Sequence, residues 1–266
     1  MSGQSRTIRK RRRDILGLGL IIVSLLLGTG FGIFYWRTSR AETRVDPTTM
    51  CPESGPEGLT VLLIDATDAI TPVQRASLHN EFERLVGRVP VHSAIEVYTV
   101  DQISDRVLLP TGERICNPGR DGSFWTQNPR LIENRWRERF WEPLQKWELQ
   151  AVDRQPTERS PILEAVQSVA VTEFQREALV GKPRTLVIVS DLLQHTPGLS
   201  HYRAVPSFEE FSRSDYYATV RTSWSGVVVE VIYITRPGTP QGSQHLEFWR
   251  EYFAGNGGSL NRVTTF

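Results

Sequence analysis

Two uninterrupted apolar segments are the clearest pattern along the chain, and each of them runs into an aspartate. The first is LTVLLID at residues 59–65, and the second is RTLVIVSD at residues 184–191. Continuous apolar runs of this length are typical of strands buried on both faces, as in a parallel sheet flanked by helices. Because the carboxyl ends of such strands form the ligand crevice, Asp65 and Asp191 are the leading candidates for a functional site.

Signals for helices and further strands alternate with these two segments. Thr71 followed by Pro72 predicts the start of a helix, and Ser160 followed by Pro161 predicts another, with Ser160 as its N-cap. Residues 94–100 (AIEVYTV) alternate in a way that predicts a strand nearer the sheet edge. The remaining elements are a strand at 226–235 and a closing helix that contains Leu246, Trp249 and Phe253. The alternation predicts an α/β fold with a doubly wound, mostly parallel sheet and helices on both faces.

The region between residues 101 and 159 is the least regular part. Within it, apolar side chains recur at helical spacing at Ile132, Trp136, Phe140, Leu144 and Trp147. We expect this stripe to pack on the core of its own domain, and a partner-binding face is the alternative. Pro143 is expected to kink or restart the helix.

An uncharged run at residues 15–36 (ILGLGLIIVSLLLGTGFGIFYW) predicts one transmembrane helix before the α/β domain, because about 20 apolar residues cross a bilayer. It is too long for a cleaved signal peptide, which is the alternative. Lipid is therefore an expected partner of this segment. Gly28 and Gly32 form a GxxxG pair, a pattern that can bring two such helices together as a homodimer. We favour the simpler interpretation, that they are ordinary glycines of a membrane helix.

The charges around this run give its orientation and argue against nucleic acid as a partner. Residues 1–14 hold six basic groups and Asp14, a net charge of +5. By the positive-inside rule the N-terminus is cytoplasmic, in the inner (plasma) membrane, and the C-terminal domain is periplasmic or extracellular. Since the whole chain carries +1, the remainder carries 1 − 5 = −4. A mildly acidic exported part does not suit a nucleic-acid-binding protein.

The chain has two cysteines, Cys51 and Cys116, and both follow the predicted span. An oxidising compartment would allow them to form a disulfide bond, and two buried free thiols are the alternative. The predicted organisation is a cytoplasmic N-terminus at 1–14, the membrane helix at 15–36, a stalk at 37–58 and one α/β domain at 59–266.

The order of strand, DATDAIT, helix, SPILEA and VIVSDLL resembles the von Willebrand factor A domain family. That family carries a metal-ion-dependent adhesion site built from a DxSxS motif, a later threonine and a final aspartate. The resemblance implies that Asp65, Thr67, Ser160 and Asp191 take these ligand positions, whereas Ala69 replaces the second serine and lacks its hydroxyl. Asp68 is a candidate to fill the gap, at a position that the family does not use.

The resemblance implies Mg²⁺ or Mn²⁺ as the ligand of this degenerate site, because hard divalent cations bind oxygen. The alternative is that Asp65 and Asp191 cap the helices that follow them. The sequence contains no GxSxG turn, and we expect the side chain of Ser190 to pack within its strand and His195 and His201 to be ordinary loop histidines. We therefore assign no catalytic residue.

The function that these features favour is protein binding, by the exported domain of a single-pass membrane protein within an envelope-associated assembly. The alternative is a membrane-tethered hydrolase in which Asp65 and Asp191 hold a divalent ion that activates water.

Overall fold

The computed structural model describes residues 21–33, 44–100, 108–120, 128–153 and 156–266. The chain divides into two units between Arg44 and Val45. In the first unit, residues 21–33 are helical, and the rest of the predicted membrane span and the basic N-terminus lie outside the described residues. Among the residues described, no helix is both long and apolar enough to cross a membrane.

The second unit is built around a six-stranded sheet. Its strands are β1 (Leu59–Asp65), β2 (Ala94–Val100), β3 (Ile115–Cys116), β4 (Arg184–Ser190), β5 (Val227–Tyr233) and β6 (Ser259–Thr265). Their order across the sheet is β3-β2-β1-β4-β5-β6, and only the short β3 runs antiparallel to its neighbour. This is a doubly wound order that reverses between β1 and β4, where such sheets form a crevice at the carboxyl ends of their strands.

The helices of the second unit lie between these strands along the chain. They are α1 (Pro72–Arg88), α2 (Pro129–Trp136), α3 (Glu142–Val152), α4 (Ile162–Val169), α5 (Phe208–Ser212), α6 (Asp215–Val220) and α7 (Ser243–Gly255). Thr71 caps α1 as predicted: its hydroxyl accepts from the Gln74 N–H, and the Gln74 side chain accepts from the Thr71 N–H. Both predicted features of this helix start, the capping threonine and the proline, are confirmed.

Hydrophobic side chains pack on both faces of the sheet. Alternate residues of a strand point to opposite faces, and Leu63 of β1 belongs to one core cluster with Ile162 and Trp249, whereas Leu62 belongs to another with Phe82 and Phe140. All seven residues of β1 are therefore buried. The predicted α/β sheet, mostly parallel and with helices on both faces, is confirmed.

The aromatic stripe packs on the core, as expected. Trp136, Phe140 and Leu144 are buried in the cluster that covers the α1 face of the sheet. Between α2 and α3 the backbone makes one π-helical turn, Arg137–Trp141, which ends two residues before Pro143. Proline has no N–H for the usual helical hydrogen bond, and the regular α-helical pattern is interrupted just before it.

A disulfide bond joins Cys51 to Cys116 across a sequence separation of 65 residues. The N–H of Cys116 donates to the carbonyl of Thr49 at 2.8 Å, and Met50 is buried. The segment 45–58, which the sequence assigns to a stalk, thus packs on the sheet edge, and the compact unit begins at Val45.

Two local predictions differ from the structure. Ser160 is not an N-cap: α4 begins at Ile162 after Pro161, and the backbone of Ser160 pairs with that of His195 in an isolated bridge. Long-range backbone pairing here replaces the local cap. β2 is buried on both faces along its whole length, because the short β3 and the segment before it form the edge instead.

Candidate functional site

Asp65 ends β1 at the point where the strand order reverses, and its carboxylate collects hydrogen bonds from three neighbours. Oδ1 accepts from the Thr67 hydroxyl at 2.6 Å and from the Thr67 N–H at 3.0 Å. Oδ2 accepts from the Ser190 hydroxyl at 2.6 Å and from the Ser160 hydroxyl at 3.4 Å. The parallel register that places Ile64 opposite Val189 brings Ser190 beside Asp65. Asp65 therefore joins three loops at the strand ends.

Ser190 is part of this site rather than a packing residue of its strand. Its hydroxyl donates to Asp65 and also accepts from the N–H of Leu192 at 2.7 Å. Both hydrogen-bonding roles of the hydroxyl are used, and the side chain is buried. Ser190 therefore fixes the turn after β4 to the end of β1.

Asp191 follows Ser190, and its charge is neutralised by Arg236, a residue that no sequence motif identifies. Oδ1 of Asp191 accepts from the N–H of Leu193 at 2.9 Å, and Oδ2 forms an ion pair with Nε of Arg236. Nη1 of Arg236 donates to the carbonyl of Ala69 at 2.9 Å, and Nε lies 4.0 Å from Oδ2 of Asp68. The guanidinium thus connects the loops after β1, β4 and β5.

The loop that carries Arg236 is itself held in place. The N–H of Arg236 donates to Oε1 of Gln241 at 2.6 Å. Nε2 of Gln241 donates to the carbonyl of Asp191 at 2.8 Å and to that of Ile234 at 2.9 Å. The backbone around the arginine is therefore tied to the same aspartate that its side chain contacts.

Burial acts on both carboxyl groups of the site. Desolvation raises the pKa of Asp65, and the hydrogen bonds from Ser190 and Thr67 oppose this rise. Desolvation, followed by repulsion from Asp65, raises the pKa of Asp191 to about 6, against the Leu193 N–H and the Arg236 guanidinium. Two carboxyl groups that repel each other in a buried site need a nearby positive charge, and Arg236 supplies one.

Leu192 has a left-handed backbone, with φ at 60°, which is unusual for a leucine. Its carbonyl accepts from the indole of Trp249 at 3.0 Å and from Nε2 of His245 at 3.0 Å. These bonds from α7 hold the turn that presents Asp191, and they compensate for the cost of the backbone conformation.

His201 lies beneath this turn and is fully buried, so its interpretation as an ordinary loop histidine is wrong. Its Nδ1 lies 3.1 Å from Nε2 of His245, whose Nδ1 lies 2.7 Å from the hydroxyl of Tyr233. Its ring packs edge to face on Phe248 at 4.8 Å. The long-range packing of α7, which the loop-like sequence around His201 does not reveal, buries this histidine.

An open depression of about 380 Å³ lies beside the site, and Tyr202 is its most exposed aromatic side chain, with 41% of its surface accessible. The Tyr202 hydroxyl donates to Oδ2 of Asp68 at 3.1 Å, and its ring meets that of His195 edge to face at 5.4 Å. His195 is half-buried and its Nδ1 lies 2.8 Å from the hydroxyl of Ser200 in the same loop. The lining residues are Thr67, Asp68, Thr157, Glu158, Arg159, Ser160, His195 and Tyr202.

All five residues predicted as metal ligands, namely Asp65, Thr67, Asp68, Ser160 and Asp191, lie at this end of the sheet. They do not form a free ligand set, because Asp191 is paired with Arg236, and Asp68 contacts Tyr202. Over the described parts of the chain, no group of three or more His, Cys, Asp or Glu side chains is placed to hold a metal ion. Because the guanidinium of Arg236 already pairs with Asp191, the donor set present here fits a divalent ion poorly.

Comparisons with known proteins show only which solved structures this chain is similar to. No protein-family model matches it, and no curated protein matches it significantly. It is similar to an aerotolerance-related membrane protein of Bacteroides fragilis (11% identity, 78% of this chain and 90% of that chain, TM-score 0.39). Similar values apply to the conserved hypothetical protein BatB of Bacteroides thetaiotaomicron (10%, 78% and 89%, 0.39).

A third similar structure is proximal thread matrix protein 1 of the mussel byssus, solved with a zinc-occupied metal-ion-dependent adhesion site (13% identity, 84% of this chain and 43% of that chain, TM-score 0.37). With all three TM-scores below 0.5, the fold assignment rests on the strand order and register of this chain. By that topology, the chain contains a doubly wound α/β domain whose strand-end residues meet at the β1/β4 switch point.

Proposed function

We propose that this chain is a single-pass membrane protein whose exported domain, of von Willebrand factor A type, binds another protein in an envelope-associated assembly. The binding surface is the strand-end face, which we define as the loops after β1, β4 and β5, the first turn of α1 and the depression beside Tyr202. One observation carries the proposal: at the switch point of the sheet, an open depression adjoins loops that Arg236 connects to one another.

Exposed side chains on this face suit a protein partner. Tyr202 is 41% exposed, and Val73, at the start of α1, is 77% exposed. Tyrosine is a frequent anchor in protein interfaces, and an exposed apolar side chain on the same face adds area that binding can bury. The surrounding charges are mixed, with Asp68, Glu158 and Arg159 at the depression, which favours a polar rim rather than a strongly charged ligand site.

The location of the domain outside the cytoplasm is supported by two features of the chain. The apolar run at 15–36 follows a strongly basic N-terminus, a pattern that keeps the N-terminus inside. The Cys51–Cys116 disulfide suits an oxidising compartment, since such bonds are rare in the cytosol. Dimerisation through Gly28 and Gly32 is compatible with this arrangement.

The alternative of a metal-dependent hydrolase is less well supported. Such an enzyme needs Asp191 free to coordinate an ion, whereas this carboxylate is paired with Arg236. His195, the nearest candidate base, contacts Ser200 within its own loop. We therefore place binding before catalysis.

Replacing Tyr202 by alanine will reduce co-purification of the partner from native membranes by about tenfold, the effect of losing one interface anchor. Val73→Ser will reduce it less. The matched control is Val180→Ser, because Val180 is 76% exposed and precedes β4 at the opposite end of the sheet. Recovery is measured after crosslinking in membranes that hold each full-length variant. Equal losses for Val73→Ser and Val180→Ser, with Tyr202→Ala unchanged, would contradict the proposed face.

A further inference from the structure

The guanidinium of Arg236 lies among the residues that were expected to hold a divalent ion at the strand ends. Its Nε pairs with Asp191, its Nη1 donates to the carbonyl of Ala69 at 2.9 Å, and Asp68 lies 4.0 Å away. Ala69 is also the position at which the expected ligand hydroxyl is missing. The arginine therefore contacts the backbone at the position where the hydroxyl is missing and also one of the two aspartates expected as ligands.

Other oxygens of the two aspartates accept hydrogen bonds from the protein itself. Asp65 accepts from Thr67, Ser190 and Ser160, and Oδ1 of Asp191 accepts from the Leu193 N–H. Asp65 and Asp191 are 6% and 2% exposed, respectively. A divalent ion that reached Asp191 would lie beside a guanidinium in this poorly solvated site, where like charges repel strongly.

We propose that Arg236 is the resident cation of the strand-end site, so that the domain keeps this face assembled without a divalent metal. The guanidinium does what an ion would do for the structure, since it neutralises Asp191 and joins the loops after β1, β4 and β5. This role of Arg236 does not depend on whether the strand-end face binds a protein.

The test measures Mn²⁺ binding to the full-length chain by the loss of the free-ion electron paramagnetic resonance signal, together with the unfolding temperature in Mn²⁺ and in chelator. The wild-type protein is expected to bind no Mn²⁺ that depends on Asp191. The double variant Arg236→Gln/Ala69→Ser removes the arginine and restores the missing hydroxyl. It is expected to bind about one Mn²⁺ and, at a tenfold excess over Kd, to gain about 3 to 5 °C in unfolding temperature.

Two further variants keep the test decisive. Arg236→Lys retains a positive charge and should bind no Mn²⁺. Arg88→Gln removes an ion pair with Glu230 elsewhere on the sheet and should also gain no binding. The proposal is overturned if the wild-type chain binds one Mn²⁺ and loses it in Asp191→Ala. It is also overturned if the folded double variant binds none. Should the double variant not fold, the wild-type and Arg236→Lys measurements decide alone.

Discussion

Replacing Cys51 and Cys116 together by alanine will lower the free energy of unfolding by about 4 kcal/mol. The bridge spans 65 residues of sequence, and in the chain-entropy account a cross-link of this length removes that much freedom from the unfolded chain. The folded state is also destabilised, because the bridge holds the segment 45–58 against β3 at the edge of the sheet. In this region the Cys116 N–H donates to the carbonyl of Thr49.

Urea unfolding of the full-length chain checks this effect, with and without reductant. Reductant should bring the wild-type midpoint close to that of the double alanine variant and leave the variant unchanged, which separates the bridge from any packing cost of alanine. The wild-type protein, denatured without reductant, should show no free thiol. Two results would contradict this prediction. One is alkylation of both cysteines under those conditions, and the other is the same urea midpoint for the wild type and the double alanine variant without reductant.

Acidification from pH 7 to pH 5 will cost the fold roughly 4 kcal/mol through His201 and His245 together. Desolvation by burial lowers the pKa of His201 to about 3, with repulsion from His245 as a second cause. Desolvation also lowers the pKa of His245 to about 4. An unfolded histidine has a pKa near 6.5, so below that pH the unfolded chain binds protons that the folded chain does not. Each histidine then costs about 1.4 kcal/mol per pH unit until its folded pKa is reached.

Buried carboxyl groups act in the opposite direction. Burial raises the pKa of Asp65, Asp191, Glu96 and Glu148, so the folded chain binds their protons first and gains stability as the pH falls. The histidine contribution must therefore be measured as a difference between variants rather than from the wild-type curve alone.

His201→Phe isolates one histidine, because a phenyl ring can keep the edge-to-face contact with Phe248. Relative to wild type, this variant should gain about 2 kcal/mol in unfolding free energy between pH 7 and pH 5. His195→Phe controls for the loss of a histidine from the same loop. Parallel pH curves for the wild type and His201→Phe would show that the buried histidine does not control acid stability.

Features encoded by local sequence were predictable. The continuous apolar runs before Asp65 and Asp191 identify strands buried on both faces, and the Thr71-Pro72 pair identifies the start of α1, because both depend on neighbouring residues alone. The two cysteines could also be paired, since the chain offers no other thiol. The clustering of strand-end residues followed from the parallel topology.

Features that depend on distant residues were not predictable. β6 lies at an edge where its residues are exposed or half-buried, so its sequence lacks an apolar run, and β3 has only two residues. The sequence predicts Ser160 as a helix cap, but in the structure its backbone pairs with that of His195 instead. Arg236 pairs with Asp191, which lies 45 positions earlier, and no local sequence motif predicts this ion pair. Only the order of the strands brings these groups together.

We propose that the strand-end face of this domain is the surface that binds a protein partner. A photo-crosslinking amino acid placed at position 73, or separately at position 180, tests it directly in native membranes. These positions are matched in exposure and lie at opposite ends of the sheet. We predict one discrete crosslinked protein from position 73 and none from position 180. A product from position 180 alone, or none from either position, would show that the strand-end face is not the binding surface.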